Sequence, residues 1–241
     1  MAPLAGRVAL VTGASRGIGA ATAIELARLG AHVVATGRTE GGLEETDDAI
    51  RAGGGTATLL PLDLAKESEQ IDAIGPSVFD RFGRLDILVH AAGALGRLTP
   101  ASHILPDDWA DVVAVNLAAT WRLIRTSAPL LQAADAGRAV FVTSGITRRP
   151  TAYWGAYGAT KAGMEHLVLA WAEELRTTRV RVNLFDPGAV ATRMRRTAFP
   201  GEDQTTLPTA AEVAPAIGAL CLETETRNAA RVAYIGSRSS A

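Results

Sequence analysis

The chain has 241 residues, 48% of them apolar and 20% charged, enough to bury a large core and unlike a disordered or fibrous composition. Its 24 basic and 25 acidic side chains nearly cancel, which gives no electrostatic footing for a nucleic-acid or membrane-surface binder. Cys221 is the one cysteine, so no intrachain disulfide can form and a reducing compartment is expected. No apolar run approaches the roughly 18 residues that span a bilayer, and the N-terminus lacks a charged segment followed by a long apolar one. The expectation is a soluble, cytoplasmic protein with no nucleic-acid or membrane partner.

Val8-Ala9-Leu10-Val11 is a short continuous apolar run, as in a parallel strand covered on both faces. A glycine-bearing loop follows, then a helix with Ile18, Leu26 and Leu29 at helical spacing, stopped by Gly30. Residues 32–36 predict a second strand, 40–52 a polar helix, and 58–62 a third strand whose Pro61 suits only its end. The alternation continues with a helix over 67–82, a strand over 85–90, a loop over 91–106 and a helix over 107–131 that Pro129 perturbs. Strand 139–143, helix 155–177 and strand 181–185 come next. An irregular stretch over 188–209, a helix near 211–222 and a strand at 231–235 complete seven strand-like segments. Strands separated by such helices predict right-handed crossovers and one α/β domain over 1–241, a doubly wound parallel sheet with helices on both faces.

The loop after the first strand bears Gly13, Gly17 and Gly19. Such glycines let the chain turn off the strand, let backbone amides approach a pyrophosphate, and let the next helix pack close. The helix N-terminus then offers unpaired N–H groups to phosphate. The spacing differs from Gly-x-Gly-x-x-Gly, and alone it also suits an ordinary structural turn. At the end of the second strand an NAD site would place an acid. Thr36-Gly37-Arg38 offers none. Arg38 and Arg16 could instead meet a 2'-phosphate with their guanidinium forks, although either alone reads equally well as a solvated surface arginine. Together with the missing acid they favour NADP(H).

Tyr157 and Lys161 lie four apart on a predicted helix and share a face. Ser144 stands thirteen residues before Tyr157, just beyond the fifth strand. A nearby ammonium favours the phenolate, so Lys161 should lower the tyrosine pKa from about 10 toward working pH. The pattern also arises by chance on helices, but Lys66 and Lys161 are the chain's two lysines among 24 basic residues. A lysine so placed in an arginine-rich chain points to a specific task.

With these residues the chain resembles the short-chain dehydrogenase/reductase family over residues 6–236. The matching segments are Thr12-Gly13-Ala14-Ser15-Arg16-Gly17-Ile18-Gly19, Asp63-Leu64, Asn116, Ser144, Tyr157-Gly158-Ala159-Thr160-Lys161 and Pro187-Gly188-Ala189-Val190-Ala191-Thr192. Trp154-Gly155-Ala156-Tyr157 and the run from Met194 to Pro200 resemble a bacterial branch of poorly characterised oxidoreductases within it. The resemblance implies a Rossmann-type domain that interconverts a carbonyl compound and its secondary alcohol with NADP(H). It implies that Tyr157 is the acid or base, that Lys161 lowers its pKa and binds the nicotinamide ribose, and that Ser144 holds the substrate oxygen. Asn116 would sit in a kinked helix and help hold a water that relays protons to Lys161. Gly13, Ser15, Arg16, Gly17, Ile18, Gly19 and Arg38 would contact the cofactor phosphates, and Asp63 with Leu64 the adenine. Ala92 and Gly93 would flank the cofactor, with Pro187, Gly188, Val190 and Thr192 at the nicotinamide. No metal is implied. Ala91 departs from the family, which has asparagine there to steady the sheet; its loss removes hydrogen bonds but no catalytic group. The preceding His90 reads either as lining the adenine–ribose site or as an ordinary packed histidine.

The substrate wall is expected from Leu95, Leu98, Ile146, Tyr153, Trp154, Met194 and Phe199, with Arg148, Arg149, Arg193, Arg195 and Arg196 nearby and a lid over 188–209. This composition suits a medium-sized, mostly apolar substrate. Two other classes compete. A non-catalytic NADP(H)-binding regulatory or structural protein would have no need of Ser144, Tyr157 and Lys161 together. A non-redox lyase resembling halohydrin dehalogenases would lose the cofactor glycines and carry arginine for Lys161. The helices at 107–131 and 155–177 pair across a two-fold axis in the family, which implies a homodimer or homotetramer.

Overall fold

A computed structural model describes residues 2–235. Seven strands form one sheet: β1 (Val8–Thr12), β2 (His32–Gly37), β3 (Thr56–Pro61), β4 (Ile87–His90), β5 (Arg138–Val142), β6 (Arg181–Asp186) and β7 (Arg231–Ala233). The order is β3-β2-β1-β4-β5-β6-β7 and every pairing is parallel. This is the doubly wound Rossmann-type sheet expected from the alternation of strands and helices.

Alternate strand residues feed two separate cores, which explains why the strands read as unbroken apolar runs. Leu10, Leu88, Phe141 and Leu184 face a layer built from α3 (Ile74–Phe82), α5 (Ala119–Ala133) and α6 (Gly155–Glu174). Val11, Val89, Val140 and Phe185 face α1 (Gly17–Arg28), α2 (Glu40–Ala52) and α8 (Ala210–Leu220). Among the described residues no helix is long and apolar enough to cross a membrane.

Three expected elements are subdivided. The segment expected as one helix over 67–82 begins as a 3-10 turn at Ser68–Ala73 and becomes α-helical only at Ile74. Pro76, lacking an N–H, is tolerated in that first α turn. The helix expected over 107–131 is α4 (Pro106–Val113), a π turn at Ala114–Ala118, then α5, which runs through Pro129 to Ala133. The stretch expected to be irregular contains α7 (Arg193–Ala198), whose first turn is capped by the Thr192 hydroxyl accepting from Arg195 N at 3.2 Å.

Strand order reverses between β1 and β4, so the carboxyl ends of these strands diverge and open a crevice. The opposite edge of the sheet is closed by charge. Asp86, fully buried, accepts from Arg84 at 2.6 and 2.8 Å and from the backbone N–H of Val8 at 2.9 Å.

Candidate active site

The crevice at the carboxyl edge has a volume of about 690 Å³. Its floor is the β1–α1 loop. Gly13 takes φ 69°, and a Cβ there would lie 2.8 Å from Ala92 N. A Cβ on Gly19 would lie 2.2 Å from Gly13 O, so α1 can approach the strand only with glycine at that position. No side chain caps α1, and its first residues, Gly17, Ile18 and Gly19, line the crevice. Arg16 and Arg38 both line this end. Arg38 forms no ion pair among the described residues, and Arg16 reaches only Thr39 Oγ1 at 3.5 Å.

Ser15, Gly17, Ile18, Asp63, Leu64, Ala92, Gly93, Ser144, Tyr157, Lys161, Pro187, Gly188, Val190 and Thr192 also line the crevice. The fold thus brings the residues expected at the cofactor and at the proton-transfer centre into one cavity, Asn116 excepted. Asn116 is fully buried in the π turn. Its Oδ1 accepts from Ala94 N and its Nδ2 donates to Ala94 O, both at 2.8 Å, with a further bond to Thr160 Oγ1 at 3.0 Å. The widened turn thereby clamps the loop after β4 beside α6.

Tyr157 and Lys161 are both buried on α6. Lys161 Nζ donates to Val142 O at 2.8 Å, and burial pulls its pKa down to about 8. Tyr157 moves opposite to the expected direction. Burial pushes its phenol up to about 12, the Asp186 charge adds to this, and a hydrogen bond from Ser144 opposes it. Desolvation of the phenolate dominates, and the lowering expected from Lys161 does not enter, so the tyrosine favours its protonated form.

His90 does not line the crevice. It is fully buried, with Nδ1 2.7 Å from Thr12 Oγ1 and its ring edge-on to Phe141 at 5.9 Å. Burial and the nearby Lys161 charge pull its pKa down to about 3, so the ring is neutral. Thr12 Oγ1 also accepts from Ala92 N at 3.2 Å. A threonine–histidine pair therefore ties down the turn at which Ala91 replaces the family's asparagine.

On the substrate side Leu95, Trp154, Met194, Arg193, Arg195 and Arg196 line the crevice, whereas Leu98, Ile146, Tyr153, Phe199, Arg148 and Arg149 lie outside it. Tyr153 adopts φ 74° and turns its ring to solvent. The Trp154 ring stands edge-on to Tyr157 at 5.9 Å and tilts against Phe199 at 5.7 Å. The Arg195 guanidinium lies 3.8 Å over Phe199 while pairing with both oxygens of Glu202 at 2.6 Å. No group of three or more His, Cys, Asp or Glu side chains among the described residues is placed to hold a metal.

The sheet order, the glycine-floored crevice and the buried Tyr157–Lys161 pair define a nucleotide-binding oxidoreductase of the short-chain type. The family profile described as short chain dehydrogenase matches residues 7–203, and the chain belongs to that family. It is 40% identical over 212 residues to the Escherichia coli oxidoreductase YciK, covering 87% of this chain and 83% of YciK. It is 36% identical to the 3-oxoacyl-[acyl-carrier-protein] reductase FabG of Pseudomonas aeruginosa, covering 80% of this chain and 77% of FabG. A Shigella flexneri short chain dehydrogenase complexed with NADP superposes with a TM-score of 0.91 at 36% identity, covering 96% of this chain and 98% of that one. The same values hold for an E. coli short chain dehydrogenase complexed with NADPH.

Proposed function

We propose that this chain is an NADP(H)-dependent oxidoreductase that interconverts a mostly apolar carbonyl compound and its secondary alcohol through Ser144, Tyr157 and Lys161. The observation that carries the reading is a buried phenol, Tyr157, that lines one crevice together with Ser144 and Lys161. A neutral phenol can donate a proton to a carbonyl oxygen as it becomes an alkoxide. The Ser144 hydroxyl stabilises the same developing charge. Lys161, whose ammonium is weakened by burial, anchors the nicotinamide ribose and favours the phenolate left after proton transfer. A water held beside the π turn of Asn116 would return the proton to Lys161.

The residues fit a nicotinamide dinucleotide. Gly13, Ser15, Gly17, Ile18 and Gly19 present backbone to the pyrophosphate. Asp63 and Leu64 flank the adenine, Ala92 and Gly93 the ribose side, and Pro187, Gly188, Val190 and Thr192 the nicotinamide. When bound, the nicotinamide supplies or accepts the hydride. Arg16 and Arg38, free of acidic partners among the described residues and at a strand end occupied by Gly37, would hold the 2'-phosphate. Trp154, edge-on to Tyr157, and Met194 shape the substrate end, with residues 188–209 as its lid.

The test is turnover of an activated diketone, read beside cofactor titrations. NADPH should bind more tightly than NADH by more than about tenfold, the scale of a charge-assisted phosphate contact. Tyr157→Phe should keep that affinity and lose turnover by about a hundredfold or more. Lys161→Ala should weaken both, and Ser144→Ala turnover alone. Equal affinities for the two cofactors would overturn the NADP(H) assignment, and a folded Tyr157→Phe protein that reduces the diketone at the unmodified rate would overturn the mechanism.

A further inference from the structure

Behind the crevice lies a polar cluster that none of these roles uses. Arg231 opens β7 at the far edge of the sheet and is almost wholly covered, its side chain 11% exposed. Its two terminal nitrogens reach three different elements. Nη1 donates to Glu165 Oε1 on α6 and to Thr147 Oγ1 at 2.8 Å. Nη2 donates to the backbone carbonyl of Ser144 at 2.8 Å and to Asp186 Oδ2, at the end of β6, at 2.9 Å.

Each partner leads to a wall of the reaction site. The Ser144 carbonyl also accepts from Thr147 N at 3.2 Å and Thr147 Oγ1 at 3.0 Å. Three donors on one oxygen fix the plane of the Ser144–Gly145 peptide, and with it the direction of the serine side chain. Glu165 stands one turn beyond Lys161 on α6, and its Oε1 also accepts from the Thr143 hydroxyl, with Thr147 Oγ1 2.9 Å away. Asp186 Oδ1 accepts from Gly188 N at 3.1 Å and so holds the loop assigned to the nicotinamide.

We propose that Arg231 is a positioning residue for the reaction, locking the Ser144 turn, α6 and the Pro187–Gly188 loop into one frame through a single planar guanidinium. This rests on the Ser144–Tyr157–Lys161 reading above. The demand for arginine is geometric. A guanidinium sends donors along fixed, coplanar directions, whereas a lysine ammonium is a point charge that cannot span four acceptors on three elements. Charge supports the same identity, because Arg231 separates the Glu165 and Asp186 carboxylates, and the charge of Asp186 already raises the Tyr157 pKa. Arg148 is the opposing cation near Arg231. Arg138, the other buried arginine of the sheet, gives a contrast. Among the described residues it donates to backbone carbonyls, those of Leu222, Gly137, Arg179, Glu223 and Glu225, at the edge away from the crevice.

The experiment is stopped-flow reduction of the activated diketone by NADPH in Arg231→Ala, with Tyr157→Phe and the exposed-edge variant Arg227→Met measured alongside. Arg231→Ala should bind NADPH within about threefold of the unmodified protein yet transfer hydride on the order of ten- to a hundredfold more slowly, the scale of a small misplacement of reacting groups. The loss should fall on kcat rather than KM. Added guanidinium chloride at low, non-denaturing concentration should restore part of the rate by filling the vacated space. Arg227→Met should match the unmodified protein. Should Arg231→Ala not fold, Arg231→Gln/Glu165→Gln removes the unpaired carboxylate with the arginine and should show the same kcat loss. A folded Arg231 variant with a hydride-transfer rate within twofold of unmodified, while Tyr157→Phe is impaired, overturns the proposal alone. An unimpaired Tyr157→Phe overturns the mechanism on which it rests. A slow rate in folded Arg231→Ala that added guanidinium does not improve would also count against positioning.

Discussion

Burial moves the proton affinities of Tyr157 and Lys161 in opposite directions on one helix face, the phenol up and the ammonium down, because each is penalised in its charged form. His90 obeys the same rule more strongly. Its folded pKa of about 3 lies well below the ordinary value of 6.5. Above pH 6.5 the ring is neutral in both folded and unfolded chains and contributes no pH dependence. Below it the unfolded chain takes up a proton that the folded chain refuses, so stability falls with falling pH until about pH 3. The slope from this one group approaches about 1.4 kcal/mol per pH unit. His90→Asn should therefore lose less stability than the unmodified protein between pH 6.5 and 4.5. Urea midpoints at those two pH values measure the difference, and parallel slopes would refute it. Residue identity made Tyr157, Lys161 and Ser144 legible in the sequence, because their spacing survives folding unchanged. The direction of the Tyr157 shift was not legible, since it depends on how deeply α6 is covered. Nor was the outward turn of Tyr153, which follows from a positive φ in a loop.

Helices and strands were legible wherever one periodicity ran uninterrupted. The π turn at Ala114–Ala118 was hidden because α4, the turn and α5 carry one continuous helical pattern. Only the packing of Asn116 on Ala94 discloses it. The Arg231 frame was hidden for another reason. Its members come from β5–α6, β6 and β7 and meet only through the order of strands. The same sheet separates stability from chemistry along its strands. Asp86 caps the amino edge, where Arg84 and the N–H of Val8 depend on it. Asp86→Ala leaves these donors unpaired and should cost about 3 kcal/mol, as for other broken buried pairs. The urea midpoint should drop accordingly while NADPH affinity stays within twofold. A large loss of cofactor affinity in the folded variant would show that the two edges are coupled.

At the scale of the whole molecule, the face carrying α4 and α5 presents more apolar surface than a free helical layer needs. Trp109 is 45% exposed and Trp121 47% exposed, with Leu105 at 51% beside the start of α4. The guanidinium groups of Arg122 and Arg125 lie 5.5 and 5.8 Å from the Trp121 ring centre, cation–π contacts that help order a large flat side chain. α6 adds a surface of small residues at Ala159, Ala162, Gly163 and Ala170 that lets another helix approach closely. Were this patch to pair with its own copy, a two-fold axis would close the contact, with Trp121 as an anchor. The expected state is a homodimer built on α5 and α6. Light scattering at micromolar concentration should give about twice the 25.1 kDa chain mass or a multiple of that dimer. Trp121→Glu places a charge in the buried patch and should shift the protein to monomer while NADPH binding persists, because the crevice opens at the other edge of the layer. A 25.1 kDa species for the unmodified protein would rule the dimer out, and an unchanged oligomer in Trp121→Glu would move the interface off α5.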